Sequence, residues 1–359
     1  MTARKGILLL MLFAMALAAC APGAAAPAAA GETSAVNLAP IKDYLLGKTD
    51  ELEAASGDLQ AAAQAYYDLA ETAGFDYAAM WDADAAAVSA ALQSAKDAWI
   101  VAAPAYEQME GIVAGVPTLA DYDVILDAGA AGDEDPEGAV PFDLELPDGR
   151  VFPQPGNLFG VLESTLWGTY DDYLSGVEAD LDGNGQIGFG ETLPDANVLK
   201  AAADLTYAYA VELKEASQAW TPSESDAFTA LVVMVPTMSE YFESWKNSRF
   251  VAGDDSTQRD FVVISRLADI QDILTSLEVV YAEVKPLVAG YDAAQADAIE
   301  QGMTDLKAFV AGVYAEEQSG KQFSAEEADT LGQEAQDRAT AVAGQVAQVA
   351  AALDIEIAE

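Results

Sequence analysis

The spacing of apolar residues between Val88 and Val113 constrains this chain more than any other feature. Val88, Leu92, Ala95, Trp99, Ala102, Tyr106, Met109 and Val113 recur in unbroken alternating steps of four and three. That spacing lays them in one stripe along a helix, a face that has to be buried against other helices. Ile41, Leu45, Leu52, Leu59, Tyr66, Leu69 and Ala73 follow the same rule. So do Leu267, Ile270, Leu274, Leu277, Tyr281, Val284 and Val288, and, near the end, Leu331, Ala335, Val342, Val346, Val349 and Leu353. Ser324 and Glu327 form a capping box ahead of that last stripe. No comparable period-two run of β-branched residues competes with these patterns. The expected fold class is therefore all-α, with packed antiparallel helix bundles.

The periodicity lapses twice. Residues 117–157 are rich in Gly, Asp and Pro, including Asp133-Glu134-Asp135-Pro136 and Pro153-Gln154-Pro155-Gly156, a stretch long enough to read as a functional or mobile loop. A second set of breaks (Thr221-Pro222-Ser223, Val235-Pro236, Gly253-Asp254-Asp255) falls in residues 221–260. A boundary near residue 221 would divide a helical subdomain over 41–220 from one over 221–359.

Composition removes several function classes. The 359 residues include 16 Lys and Arg against 60 Asp and Glu, for a formal net charge of −44. Such a surface repels phosphate backbones, so nucleic acid is excluded as a partner. The chain has no His and a single Cys, which rules out Ser-His-Asp and Cys-His catalysis and imidazole metal ligands. A hydrophobic content of 52% is too high for a disordered acidic polymer.

Arg4 and Lys5 followed by the apolar stretch Ile7–Leu17 read as an export signal, too short to span a bilayer comfortably. It ends at Leu17-Ala18-Ala19-Cys20, which resembles the lipobox of bacterial lipoproteins. The resemblance implies cleavage after residue 19 and a lipid anchor on Cys20. Residues 20–40, rich in Ala, Pro and Gly, then read as a tether. The expected location is the cell envelope, membrane-anchored through Cys20 and facing the periplasm or the exterior.

Asp180-Leu181-Asp182-Gly183-Asn184-Gly185-Gln186-Ile187-Gly188-Phe189-Gly190-Glu191 matches the twelve-residue EF-hand loop. Asp180, Asp182 and Asn184 supply oxygen at the first, third and fifth positions, and Gly185 sits where the chain needs a positive φ. Gln186 offers its backbone carbonyl, Ile187 the apolar anchor and Glu191 the bidentate carboxylate. A single loop, with Pro194 close behind it, predicts a structural Ca²⁺ clip instead of a sensor. The alternative is a solvated acidic loop.

The helix containing Pro104-Ala105-Tyr106-Glu107-Gln108-Met109-Glu110 and the later run Gly156-Asn157-Leu158-Phe159-Gly160-Val161-Leu162-Glu163-Ser164-Thr165-Leu166-Trp167-Gly168 together resemble the imelysin family, specifically EfeO-type iron-uptake lipoproteins. Ser265-Arg266-Leu267-Ala268-Asp269-Ile270-Gln271 is similar to a further family segment, and the likeness spans roughly residues 38–315. It implies a pair of helical bundles with a metal site between motif residues. Carried over by position, the ligands would be Glu107, Glu110 and Glu163 with an Asp from the intervening loop, for which Asp123 and Asp127 are both candidates. By the resemblance the motif His falls on Gly160, and a later family His on Ile264, so either no metal binds or a harder, oxygen-only site remains. From the residues alone, Glu107 and Glu110 also read as the solvated flank of a helix, since carboxylates at that spacing are common in so acidic a chain.

Two functions follow. One is a non-enzymatic envelope lipoprotein that binds cations and assists metal uptake, with iron or another divalent cation as cargo and other iron-uptake components as partners. The other is a calcium-stabilised surface interaction module that has lost the family metal site. Peptidase activity is not expected, because no nucleophile is paired with a base.

Overall fold

A computed structural model of the protein describes residues 36–256 and 258–358. The expected signal segment, Cys20 and most of the tether lie outside them. The first helix, α1 (Ala39–Thr72), turns at residues 73–76 into α2 (Tyr77–Val113), which runs back along it. The Asp76 carboxylate accepts from the Ala79 N–H and starts α2, satisfying one of the free donors of its first turn. All eight residues of the Val88–Val113 stripe are buried. Two short helices follow, α3 (Ala120–Asp123) and α4 (Leu158–Trp167). Then α5 (Ala196–Ala219) packs on α1 and α4 to complete a first bundle.

The second bundle comprises α6 (Glu224–Met234), α7 (Met238–Asn247), the single turn α8 (Arg249–Ala252), α9 (Arg266–Tyr291), α10 (Ala293–Gln318) and α11 (Ala325–Ala352). Asp292 caps α10 directly after α9 ends, and the expected Ser324–Glu327 capping box opens α11. The α9 stripe is buried from Leu267 to Val288. Among the described residues, short strands form two small antiparallel pairs, β1 (Leu144–Glu145) with β2 (Val151–Phe152) and β3 (Leu174–Glu178) with β4 (Thr192–Pro194).

Among the described residues most buried apolar side chains belong to one of two clusters, and α1 and α2 run through both. On α2 the passage from one to the other spans Trp99 to Ala105, just ahead of Glu107. Residues from both sides of position 221 share the larger cluster. The two bundles close tightly on each other at Gly111. A Cβ there would lie 2.4 Å from Ser276 Oγ and 2.8 Å from Leu277 Cγ of α9. Only glycine permits that approach, which brings the carboxylates of α2 against the start of α9.

Candidate metal centre

Glu107 and Glu110, three residues apart on α2, are 3% and 2% exposed. The solvated-flank reading therefore fails: α9 covers the face on which they stand. The segment after α3 supplies the third carboxylate. Val124–Ala128 forms a π-helical turn closed by the Gly129 N–H on the Val124 carbonyl, a wide turn that recurs at functional sites. It brings Asp127 to Glu107 and Glu110, so that one carboxylate oxygen from each lies within 4.8 Å of the others. Of the two Asp residues left open in the sequence, Asp127 is the one grouped with Glu107 and Glu110. Asp123 instead accepts from the Tyr106 hydroxyl at 2.7 Å.

Two further groups complete the cluster, both from the segment Ser265–Gln271. Arg266, 5% exposed, sets Nη1 3.3 Å from Glu107 Oε2 and 3.4 Å from Asp269 Oδ2, with Nη2 3.4 Å from Asp127 Oδ2. The Tyr241 and Phe261 rings each lie 4.5 Å from the guanidinium, a cation–π contact on each ring. The Tyr241 hydroxyl donates to Glu110 Oε1 at 2.8 Å, while Glu110 Oε2 is buried with no partner.

Five buried carboxylates (Glu107, Glu110, Asp123, Asp127 and Asp269) thus surround one guanidinium. Burial, then mutual repulsion, pushes Glu107 and Asp123 well above the ordinary carboxylate range. Burial raises Asp127 and Asp269 to about 7, even though Arg266 pulls each of them down. Burial disfavours the charge of Arg266, but Glu107 and Asp127 more than offset this and hold it protonated. Carboxylates held so close in a dry site need protons or a cation between them.

Glu163, expected among the ligands, stands outside the group of Glu107, Glu110 and Asp127. Its carboxylate accepts the backbone N–H groups of Phe261, Val262 and Val263 at 2.7, 2.9 and 3.2 Å. Phe261 has φ of +52°, a left-handed conformation that costs an aromatic residue energy, and these three bonds hold it there. Burial, with Asp260 next in effect, raises Glu163 to about 8. Glu163 nonetheless shares an enclosed cavity of about 20 Å³ with Glu107, Asp127, Asp260 and Asp269. Gly160 and Ile264 line the same cavity. A Cβ on Gly160 would lie 3.1 Å from Asn157 Oδ1 and 3.2 Å from Asp260 Oδ2, so a side chain at 160 would crowd both. That volume suits a water or a single ion and nothing larger. Outside it, a cleft of about 510 Å³ reaches Asp127, Asp260 and Arg266 from solvent.

Sequence reasoning misses Asp260, Arg266 and Asp269 as site residues. A signal for Arg266 does exist: a cation at the first position of a helix opposes the helix dipole, and requires nearby carboxylates to hold it there.

The twelve-residue loop joins β3 to β4, so strands flank it where an EF-hand has helices. Carboxylate oxygens of Asp180, Asp182 and Glu191 lie within 4.8 Å of one another, and Gly185 has the expected positive φ, +83°. Asp180 accepts from the N–H groups of Asn184 and Gly185. Asn184 Oδ1 accepts from the Gln186 N–H, and Glu191 from Leu181, Asp182 and Gly188. The next helix begins afresh at Ala196, with Asp195 as its cap. Lys96 on α2 donates to the Gly190 carbonyl at 2.8 Å, and the Phe189 ring meets the Arg249 guanidinium at 4.0 Å.

Comparison with protein families matches residues 62–348 to imelysin, Peptidase M75. Among solved structures, the chain is similar to an iron-regulated protein A precursor from Parabacteroides distasonis ATCC 8503. The two share 16% identity at a TM-score of 0.48, over 89% of this chain and 97% of that one. Comparison with curated proteins finds no match.

Proposed function

The chain belongs to the imelysin family, and from that premise we propose that it binds a bare, hard metal cation for uptake at the cell envelope. Glu107, Glu110 and Asp127 would hold the ion through oxygen alone. The observation that carries this reading is the Glu110 Oε2 atom, buried without a partner in a cluster where one guanidinium faces five carboxylates. Iron is the first cargo to test, and the oxygen donor set favours its harder, trivalent form. The family carries a peptidase designation, but binding is the better reading of this site. A chain without His has no imidazole base, and the buried hydroxyls of Tyr106 and Tyr241 are already committed to carboxylates.

Titration of the chain with Fe³⁺ or Mn²⁺, followed by calorimetry and metal analysis, tests the reading. It expects one ion bound per chain, lost in Glu110→Gln and Asp127→Asn. Binding that survives both substitutions would refute it. A second reading, a calcium-stabilised surface module without the family metal, is favoured by one observation, the Arg266 guanidinium beside Glu107 and Asp127. It expects calcium to bind the loop 180–191 and no other metal to bind.

We further infer a structural Ca²⁺ at Asp180, Asp182, Asn184, the Gln186 carbonyl and Glu191, and a lipid anchor on Cys20. Mass spectrometry of the mature N-terminus tests the anchor. An unmodified Cys20 would remove the membrane from the proposal.

A further inference from the structure

We propose that Arg266 is a tethered competitor for the metal, a cation built into the chain that an incoming ion must displace, so that the site selects ions by charge. The inference rests on Glu107, Glu110 and Asp127 being the ligands. Two of those three carboxylates are the ones that Arg266 engages, through Nη1 to Glu107 and Nη2 to Asp127. A hard cation would need the same oxygens at about 2.0–2.6 Å. Guanidinium and metal cannot hold them at once.

The guanidinium, with the Tyr241 and Phe261 rings each 4.5 Å away, is held by loose polar contacts. Its contacts with the three carboxylates, at 3.3–3.4 Å, are long for charge-assisted hydrogen bonds, which run at about 2.7–2.9 Å. Its Nε has no partner. Arg266 also lines the outer cleft, whose walls carry Glu134, Glu240 and Asp260, and these carboxylates can receive it. Its attachment point, the first residue of α9, is fixed by the Ser265 cap, so the side chain moves while the helix stays.

Exchange of one positive charge for another sets the selectivity. A monovalent ion brings no more charge to the cluster than the guanidinium it displaces. A divalent ion brings one charge more, and a trivalent ion two. Na⁺ and K⁺ are thus excluded by an arginine that costs a multivalent ion only part of its attraction.

The test compares wild type with Arg266→Met, using Mn²⁺ and Ga³⁺ as divalent and redox-inert trivalent probes. The methionine variant is expected to bind both at least about tenfold more tightly, and to let NaCl compete where it does not in wild type. Without metal its melting temperature should fall, and Mn²⁺ should restore it by more than in wild type. Arg266→Lys, which keeps the charge, is expected to stay near wild-type affinity. Arg266→Gln serves the same comparison if the methionine variant does not fold. Unchanged or weaker binding in Arg266→Met, with Glu110→Gln still abolishing binding, overturns the competitor and leaves the metal site standing. Binding indifferent to Glu110→Gln in every background overturns the metal site and the competitor with it.

Discussion

The Tyr241 hydroxyl donates to one oxygen of Glu110 at 2.8 Å and leaves the other buried and unbonded. A lone carboxylate oxygen in a dry cluster of like charges is a liability to the empty protein and a ready ligand for a cation. Glu110→Gln should therefore raise the stability of the metal-free chain by about 1 kcal/mol at neutral pH, while lowering metal affinity by at least about tenfold. Thermal melts in chelator and calorimetric titration check the two halves separately.

The cluster also predicts a stability profile opposite to that of ordinary surface carboxylates. Asp127 and Asp269 are raised to about 7 and Glu163 to about 8, whereas unfolded Asp and Glu titrate at about 3.9 and 4.3. The folded state therefore holds protons that the unfolded state has lost. The stability this gives is complete below about pH 4 and is lost as pH rises through about 7 to 8. In chelator the melting temperature should fall between about pH 5 and 8, and Asp127→Asn should flatten that fall. A melting temperature that rises over this window would contradict the assignment.

Glu163 is expected to act on structure before chemistry. An amide at this position has one acceptor oxygen to offer three N–H donors, and its own NH₂ would face them. Above about pH 8, where Glu163 is ionised, Glu163→Gln should cost about 2 kcal/mol and speed hydrogen exchange at Phe261, Val262 and Val263. It should weaken metal binding less than Glu110→Gln does. Equal losses from the two variants would return Glu163 to the ligand set.

Calcium should stabilise the chain through the loop 180–191. At free calcium of about 100 times the dissociation constant the gain is about 2.7 kcal/mol, seen as a chelator-reversible rise in melting temperature. Asp180→Ala, which removes an expected ligand along with the acceptor of the Asn184 and Gly185 N–H groups, should abolish the rise. A calcium-dependent shift that persists in this variant would place the ion elsewhere.

The helices are legible in the sequence because a stripe such as Val88–Val113 has one way to be buried, and the structure buries every member of it. The carboxylates of α2 are legible only as a pair. Whether such a pair meets water or protein depends on Gly111 and the side chains of α9 packed against it, a contact between distant parts of the chain. The π-helical turn that selects Asp127 over Asp123 has no spacing rule of its own. Glu163 reads as a metal ligand because no pattern shows that three successive N–H groups of residues 261–263 will turn toward it. Arg266 stands in a segment with a family likeness, and its awkward position at the head of a helix is the clue to its surroundings.

The wide turn at Val124–Ala128 gives the site a single point of vulnerability. It takes one more residue than an α-helical turn would, and that residue sets the direction in which Asp127 points. Loss of one codon there would let the segment wind normally and rotate the downstream residues by about 100°, carrying the carboxylate away from Glu107 and Glu110. The bundles, their buried stripes and the arginine would remain, leaving a well-folded relative with nothing to hold.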